Sequence, residues 1–259
     1  RELMGNRGGA LSAMEQAASA GSGYAENIAW VHVQLGNLRF DGGFLAAADR
    51  DYAAALAGVP GYAPALAGHA RVSVANGDLD RAAELYEQVV RTIPLPEFVV
   101  AYGDVLGAAG REEEAAAQYA LVEAIQQLHA ANGVDTDLEL ALYIADHGRA
   151  EDLPQAVERA RAQVAARPSI VAWDVLAWTL YRSGDLEGAA AASEEALRLG
   201  TKNALMHFHS GMIAAARGER NEAIALLEEA LEINPHFSVR YVPEAVDTLE
   251  RLRAKEVIL

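Results

Sequence analysis

Cysteine is absent from the 259 residues, which excludes a disulfide framework, a thiolate zinc site and a cysteine nucleophile. Positive charge is scarce. Lysine occurs only at 202 and 255, and 21 basic residues face 37 acidic ones, a formal charge of −16. A chain so poor in basic residues lacks the face that phosphate binding needs, so no nucleic acid is expected as a partner. An anionic membrane surface is disfavoured for the same reason. Aromatic residues make up only 7%. No apolar run approaches the roughly 20 residues that span a bilayer, so no membrane association is expected. The first ten residues, RELMGNRGGA, contain no apolar core of a signal peptide. The chain opens on Arg1, as expected of a trimmed chain or a fragment, which leaves room for a signal or anchor ahead of it. Localisation stays open on this basis, with the cytoplasm slightly favoured.

What the sequence has is alanine, with leucine, glutamate and arginine behind it, a helix-forming composition. It also has a repeat. Five segments begin at Gly43, Gly77, Gly110, Gly184 and Gly218 and share a small residue five positions later: Ala48, Ala82, Ala115, Ala189 and Ala223. Four residues further on stand Tyr52, Tyr86, Tyr119, Ser193 and Leu227. Pro60, Pro94 and Pro235 close three of the units. The spacing is about 34 residues, the period of arrays built from pairs of helices. Within a unit, apolar residues recur at i, i+3 and i+4. Ala223, Ile224, Leu227, Ala230 and Leu231 form one stripe, opposite Glu228, Glu229 and Glu232. Gly77 and Gly184 suit the left-handed residue that ends a first helix, and Asp78 and Asp185 suit the N-cap of the second. Gly36, Ala70, Gly103, Ala141, Ala177 and Gly211 lie mid-way along the first helices, where a small residue lets the paired helix approach.

Nothing in the sequence forms a catalytic constellation. There is no phosphate-cradling glycine loop, no nucleophile elbow and no His-Glu-x-x-His. His207 and His209 diverge by about 200° on a helix and lack the i, i+4 spacing of a helical zinc site. Asp135, Asp137 and Glu139, with Asp146 and His147 beyond, are acids around a loop without EF-hand spacing, and Asp137 reads as the N-cap of the helix that follows. No cofactor and no metal is expected, and no enzymatic activity.

The repeat resembles the tetratricopeptide repeat family, whose units carry W, L, G and Y on the first helix and A, F, A and P on the second. The resemblance implies an all-α solenoid of antiparallel helix pairs, a right-handed superhelix. Full units fall at about 29–62, 63–95, 96–129, 134–169, 170–203 and 204–237. Residues 8–20 read as a half unit, and 241–254 as a capping helix. The unit at 134–169 carries three residues too many between Gly148 and Ala156. The third unit's second helix, from about Arg111 to Ala131, is over-long and stopped by Asn132–Gly133. These two irregularities divide the chain into an N-terminal lobe at 1–131 and a C-terminal lobe at 132–259, the alternative being one continuous solenoid. Together with the arginine and alanine content, the resemblance points to a bacterial protein.

The resemblance also implies a groove, lined by the first helix of each unit, that holds a peptide or a partner helix. Its positions map to Trp30, Val33, Asn37 and Phe40; to Arg71; to Glu97, Val100 and Asp104; to Asp174, Trp178, Tyr181 and Arg182; and to Leu205, Phe208, His209 and Met212. Some relatives clamp a partner's terminal carboxylate there. This chain has Asn37 and Arg71 but Val33 where that clamp needs lysine, so a carboxylate clamp is not expected. The C-terminal half reads as aromatic and nearly neutral, suited to an apolar partner unless Trp178 and Phe208 pack against each other. The expected function is a non-catalytic scaffold or adaptor for a protein or peptide partner. The alternatives are a self-associating array, in which a homo-oligomer forms and the apolar tail 256–259 docks in a groove, and an accessory domain of a larger protein.

Overall fold

The computed structural model describes residues 1–21, 23–134 and 137–254, with the backbone alone for Asp137. The expectations placed on Asp135, on the Asp137 side chain and on the tail 256–259 lie outside the described residues. Fourteen α-helices and two short 3-10 turns, with no strand, make up the regular structure of the described residues. Helix α1 spans Arg7–Ala20. Six pairs follow: α2 (Ala25–Phe40) with α3 (Leu45–Gly58), α4 (Ala63–Ala75) with α5 (Leu79–Thr92), α6 (Pro96–Ala108) with α7 (Glu112–Ala131), α8 (Asp137–His147) with α9 (Leu153–Ala166), α10 (Ile170–Ser183) with α11 (Leu186–Leu197), and α12 (Ala204–Arg217) with α13 (Arg220–Ile233). Helix α14 spans Tyr241–Ala254 and packs on α13 and α12. Backbone packing divides the chain into two compact units, Arg1–Glu123 and Ala124–Leu259.

The local signals act as their chemistry requires. Gly184 caps α10 in the left-handed region at φ +89°, and the Asp185 carboxylate then accepts the Gly188 N–H at 2.9 Å to open α11. Gly77, at φ +79°, and Asp78, which accepts from the Arg81 N–H at 3.0 Å, repeat the device before α5. The extra residues of the fourth unit form a 3-10 turn at Ala150–Asp152, so α9 still begins in time to bury Ala156, Val157 and Ala160. One boundary differs from expectation. Helix α2 starts at Ala25, about four residues early, because Ala25-Glu26-Asn27-Ile28 continues the helix back to an extended Tyr24.

Each second helix buries one stripe. In α5 that stripe is Ala82, Ala83, Leu85, Tyr86 and Val89, with Glu84 and Glu87 turned to solvent. The first unit has its largest fully buried side chain at Tyr52 on α3. Its ring occupies the space that a Cβ would need at both Gly36 on α2 and Gly68 on α4. Gly103 leaves the same room for Tyr119. In the second unit Gly211 leaves it for Leu227, whose Cγ would lie 2.8 Å from an added Cβ. The small residues mid-way along first helices are notches for the side chains of second helices.

Filling such a notch is expected to destabilise. Gly36→Ala and Gly68→Ala should each cost about 1–3 kcal/mol by overpacking. Gly107→Ala, where an added methyl meets nothing within 4 Å, should be neutral or stabilise by about 0.4–1 kcal/mol through the unfolded chain. Urea denaturation of the three variants checks this, and equal losses in all three would contradict the notch.

Candidate functional site

In the first unit the first helices carry a row of polar side chains, each held by a neighbour. On α2, the Asn37 Oδ1 accepts from the Tyr52 hydroxyl at 2.9 Å and from Arg71 Nη1 at 3.4 Å. Arginine only donates, so the amide oxygen must face Arg71 and the NH2 must point the other way. Arg71 on α4 donates to Asp41 Oδ1 at 2.7 Å, and its guanidinium carbon lies 4.0 Å from the Phe40 ring centroid. Asp104 on α6 accepts the Tyr119 hydroxyl at 2.9 Å. Burial raises the Tyr86 phenol to about 12; Arg71 opposes that shift and Asp104 adds to it, so Tyr86 lies within the field of both. Trp30, two turns before Asn37 on the same helix, is 51% exposed.

The second unit is built differently. Trp178 is 1% exposed. Its ring stacks on His209 at 4.2 Å and on Tyr181 at 5.0 Å, and meets Phe208 and Tyr241 at 5.8 and 5.6 Å. Its indole N–H donates to Asp146 Oδ1 at 2.7 Å, and the Tyr241 hydroxyl donates to the same oxygen. Arg240 Nη2 donates to the Asp146 carbonyl, and its Nη1 lies 3.3 Å from His147 Nδ1. Phe208 stacks on Tyr241 at 4.8 Å. His209 is fully buried and faces Asp174 through Nδ1 at 3.1 Å, while its Nε2 has no hydrogen-bond partner among the described residues. His207 turns elsewhere, with Nδ1 on the Asn203 carbonyl at 2.7 Å.

Of the residues expected to line the groove, the structure therefore brings Asn37 and Arg71 into contact, and it gathers Asp174, Trp178, Tyr181, Arg182, Phe208, His209 and Met212 around one aromatic cluster. Asp174, Trp178, Phe208, His209 and Met212 are buried there, and Trp178, Phe208 and Met212 share a core with Tyr241. Tyr181 is half-buried. Arg182 is exposed, with its guanidinium carbon 5.8 Å from the Trp178 ring. A cavity of about 440 Å³ beside them is lined by Tyr181, Met212, Ala215, Ala216, Thr248, Arg251, Leu252 and Ala254. Sequence reasoning missed the parts played by Asp146, Arg240 and Tyr241. Asp146 occupies the thirteenth position of the irregular fourth unit, a groove position in its neighbours, and that register is the signal that points to it. Among the described residues no group of three or more His, Asp or Glu is placed to hold a metal ion, and no helix is long and apolar enough to cross a membrane.

A family model described as tetratricopeptide repeat matches residues 33–95, 67–130 and 175–236, more than half of the chain. The chain belongs to the tetratricopeptide repeat family. Membership indicates a protein–protein interaction scaffold in general, and proteins of the tetratricopeptide repeat family are generally non-catalytic. Among solved structures, a tetratricopeptide repeat protein from Parabacteroides merdae is similar at a TM-score of 0.52 and 16% identity, over 95% of this chain and 93% of that one. The type IV pilus biogenesis factor PilW is similar at 0.46 and 20% identity, over 87% and 98%. The APC/C hetero-tetramer Cut9–Hcn1 contains a chain similar at 0.46 and 18% identity; the match covers 86% of this chain but only 42% of that one. This chain thus spans less than half of that relative. At these identities the likeness is one of fold. No curated protein matches the sequence.

The basic corner of the second unit generates a pH prediction. Burial, then the charge of Arg240, holds the His147 imidazole down at about 4, against the pull of Asp146. A histidine depressed in the folded state contributes stability that is complete above about 6.5 and is lost as pH falls toward 4. Denaturation midpoints should therefore drop across that window, and His147→Gln should flatten the drop. An unchanged slope in the variant would show that carboxylates alone cause it.

Proposed function

We propose that this tetratricopeptide repeat chain is a non-catalytic scaffold that holds a peptide or partner segment against the first-helix row of its N-terminal unit. The carrying observation is the contrast between the two rows. In the second unit the aromatic side chains at groove positions are occupied by one another and by Tyr241. In the first unit, Trp30, Asn37 and Arg71 retain exposed surface, and the polar ones are held in place by Tyr52, Asp41 and Phe40. Side chains already fixed before a ligand arrives lose little freedom on binding, which favours affinity. A half-exposed tryptophan beside oriented polar groups is the composition of an interaction hot spot. Tyr181, Arg182 and the cavity next to them are the second unit's remaining accessible surface on that row.

The reading is tested by capture from a lysate of the source organism. The wild-type chain is compared with Trp30→Ala/Arg71→Glu in the first unit and Tyr181→Ala/Arg182→Ala in the second, each shown to be folded by circular dichroism. The expected outcome is a partner lost only with the first pair. Loss with the second pair alone moves the site to the cavity beside Tyr181, and retention by both removes the first-helix rows as the binding surface.

A further inference from the structure

The chain contains two Asn-Gly pairs, Asn76–Gly77 and Asn132–Gly133, and both end a helix with the same hydrogen bonds. At the end of α4 the N–H groups of Asn76, Gly77 and Asp78 donate to the carbonyls of Val72, Val74 and Ser73 at 3.0, 2.9 and 2.9 Å. At the end of α7 those of Asn132, Gly133 and Val134 donate to the carbonyls of Leu128, Ala130 and His129 at 3.1, 3.2 and 3.0 Å. Gly77 and Gly133 take the left-handed conformation that this turn requires, at φ +79° and +69°. Both asparagines are exposed. The local chemistry is therefore the same at the two sites, and what separates them is how firmly each turn is held shut.

Asparagine before glycine is a reactive pair. The side-chain amide carbon is an electrophile within reach of the next main-chain nitrogen, and glycine has no Cβ to hinder the approach. While the glycine N–H is donated within the turn, its nitrogen is not free to attack, so the turn must open first. The α4 turn is held from both sides. Val72 is buried, Val74 and Ala75 pack on core side chains, and Asp78 goes on to cap α5. The α7 turn has no such support. Gln126 is the last buried side chain of that helix. From Gln127 to Val134 every residue is exposed except the partly covered His129, and Leu128 is 62% exposed. A helix end without a buried side chain opens locally at little cost.

We propose that Asn132–Gly133 is a self-modification site at which α7 loses its last turn. When the turn opens, the Gly133 nitrogen gives its proton to solvent and bonds to Asn132 Cγ, and Nδ2 leaves as ammonia. The cyclic succinimide then takes up water. Opening at the side-chain carbonyl leaves aspartate. Opening at the main-chain carbonyl leaves isoaspartate, with the chain running through Cβ and Cγ. The sum is amide plus water giving carboxylate plus ammonium, and nothing is oxidised or reduced. Either product weakens the turn. The Asn132 Nδ2 donates to the Leu128 carbonyl at 2.8 Å, and a carboxylate cannot donate. The new negative charge lies at a helix C-terminus, where the macrodipole is also negative. Isoaspartate also lengthens the main chain inside the turn and misaligns the Gly133 and Val134 N–H groups. The inference is independent of the first-unit reading.

The test incubates the intact, freshly purified chain at mildly alkaline pH and follows both sites by peptide mapping with mass spectrometry. In the folded chain, conversion at Asn132 should run at least about tenfold ahead of Asn76. In urea the two rates should converge, because the dipeptides are the same. Equal rates in the folded chain, a faster Asn76, a gap that persists in urea, or an Asn132 that stays intact while the chain in urea converts would each overturn the inference. The consequence is read by hydrogen exchange. Aged wild type and freshly made Asn132→Asp should both exchange the amides of 128–134 several-fold faster than fresh wild type, with those of 72–78 unchanged. Aged Asn132→Gln, whose longer side chain closes the ring far more slowly, should match fresh Asn132→Gln. Unchanged exchange in aged, converted wild type would overturn the loss of the last turn.

Discussion

The first unit depends on one steric constraint: the Tyr52 ring passes between α2 and α4 because the first helices in its path have no Cβ at Gly36 and Gly68. The Tyr52 ring fills the gap between Gly36 and Gly68, and a methyl group at either would stand inside the ring's own volume. Because the ring is fully buried, its hydroxyl needs a partner, and the partner it meets is Asn37. The packing of the core and the orientation of a surface amide are thereby one event. Loosening the ring would free the amide as well, so stability and the geometry of the polar row are coupled through a single side chain.

The second unit answers the same packing problem with apolar groups. At Gly211 the notch takes Leu227, which has no hydroxyl to deliver, and the residue after the notch on α12 is Met212. What would be an open row is closed by aromatic rings around Trp178, and the polar remainder converges on Asp146. That carboxylate accepts from both Trp178 and Tyr241, while Arg240 reaches its carbonyl. Satisfying the Trp178 indole N–H and the Tyr241 hydroxyl in this way removes the desolvation cost that these buried donors would otherwise carry. The Tyr241 phenol is correspondingly held well above its usual range by burial and by Asp146. It stays a donor at any ordinary pH.

Much of this was legible in the sequence, for identifiable reasons. The helix pairs follow from a 34-residue period, and the turns at Gly77–Asp78 and Gly184–Asp185 follow from local backbone chemistry that needs no tertiary information. The notch glycines were legible too, since Gly36, Gly103 and Gly211 recur mid-helix. Gly68 was not, because it sits two residues before the repeat position held by Ala70 and is called for only by the size of the Tyr52 ring. The start of α2 was misplaced because Ala25–Ile28 are ordinary helix formers ahead of the repeat proper. The burial of Trp178, Phe208 and His209 could not be decided from one repeat at a time. Tyr241, which contacts all three rings, lies 95 positions beyond the Asp146 it binds, and no local pattern reports a contact at that range.

The contrast between the two rows bears on why one repeat position holds Asn37, Arg71 and Asp104 in one half of the chain and Trp178 and Met212 in the other. A polar group at this position is tolerated only where it keeps contact with water or finds a fixed partner, and a second-helix tyrosine provides that partner for Asn37 and Asp104. Once the tyrosine gives way to Ser193 or Leu227, a polar residue on the first helix would lose its brace, and an apolar one becomes the stable choice. The first and second helices of each pair are thus constrained together. The half that retains both the tyrosine and the notch that lets it through keeps polar side chains at this position, as Asn37 and Asp104 show. The other half uses the same position to bury area instead, and its contribution is stability of the array, to which Trp178, Phe208 and Tyr241 add the largest rings.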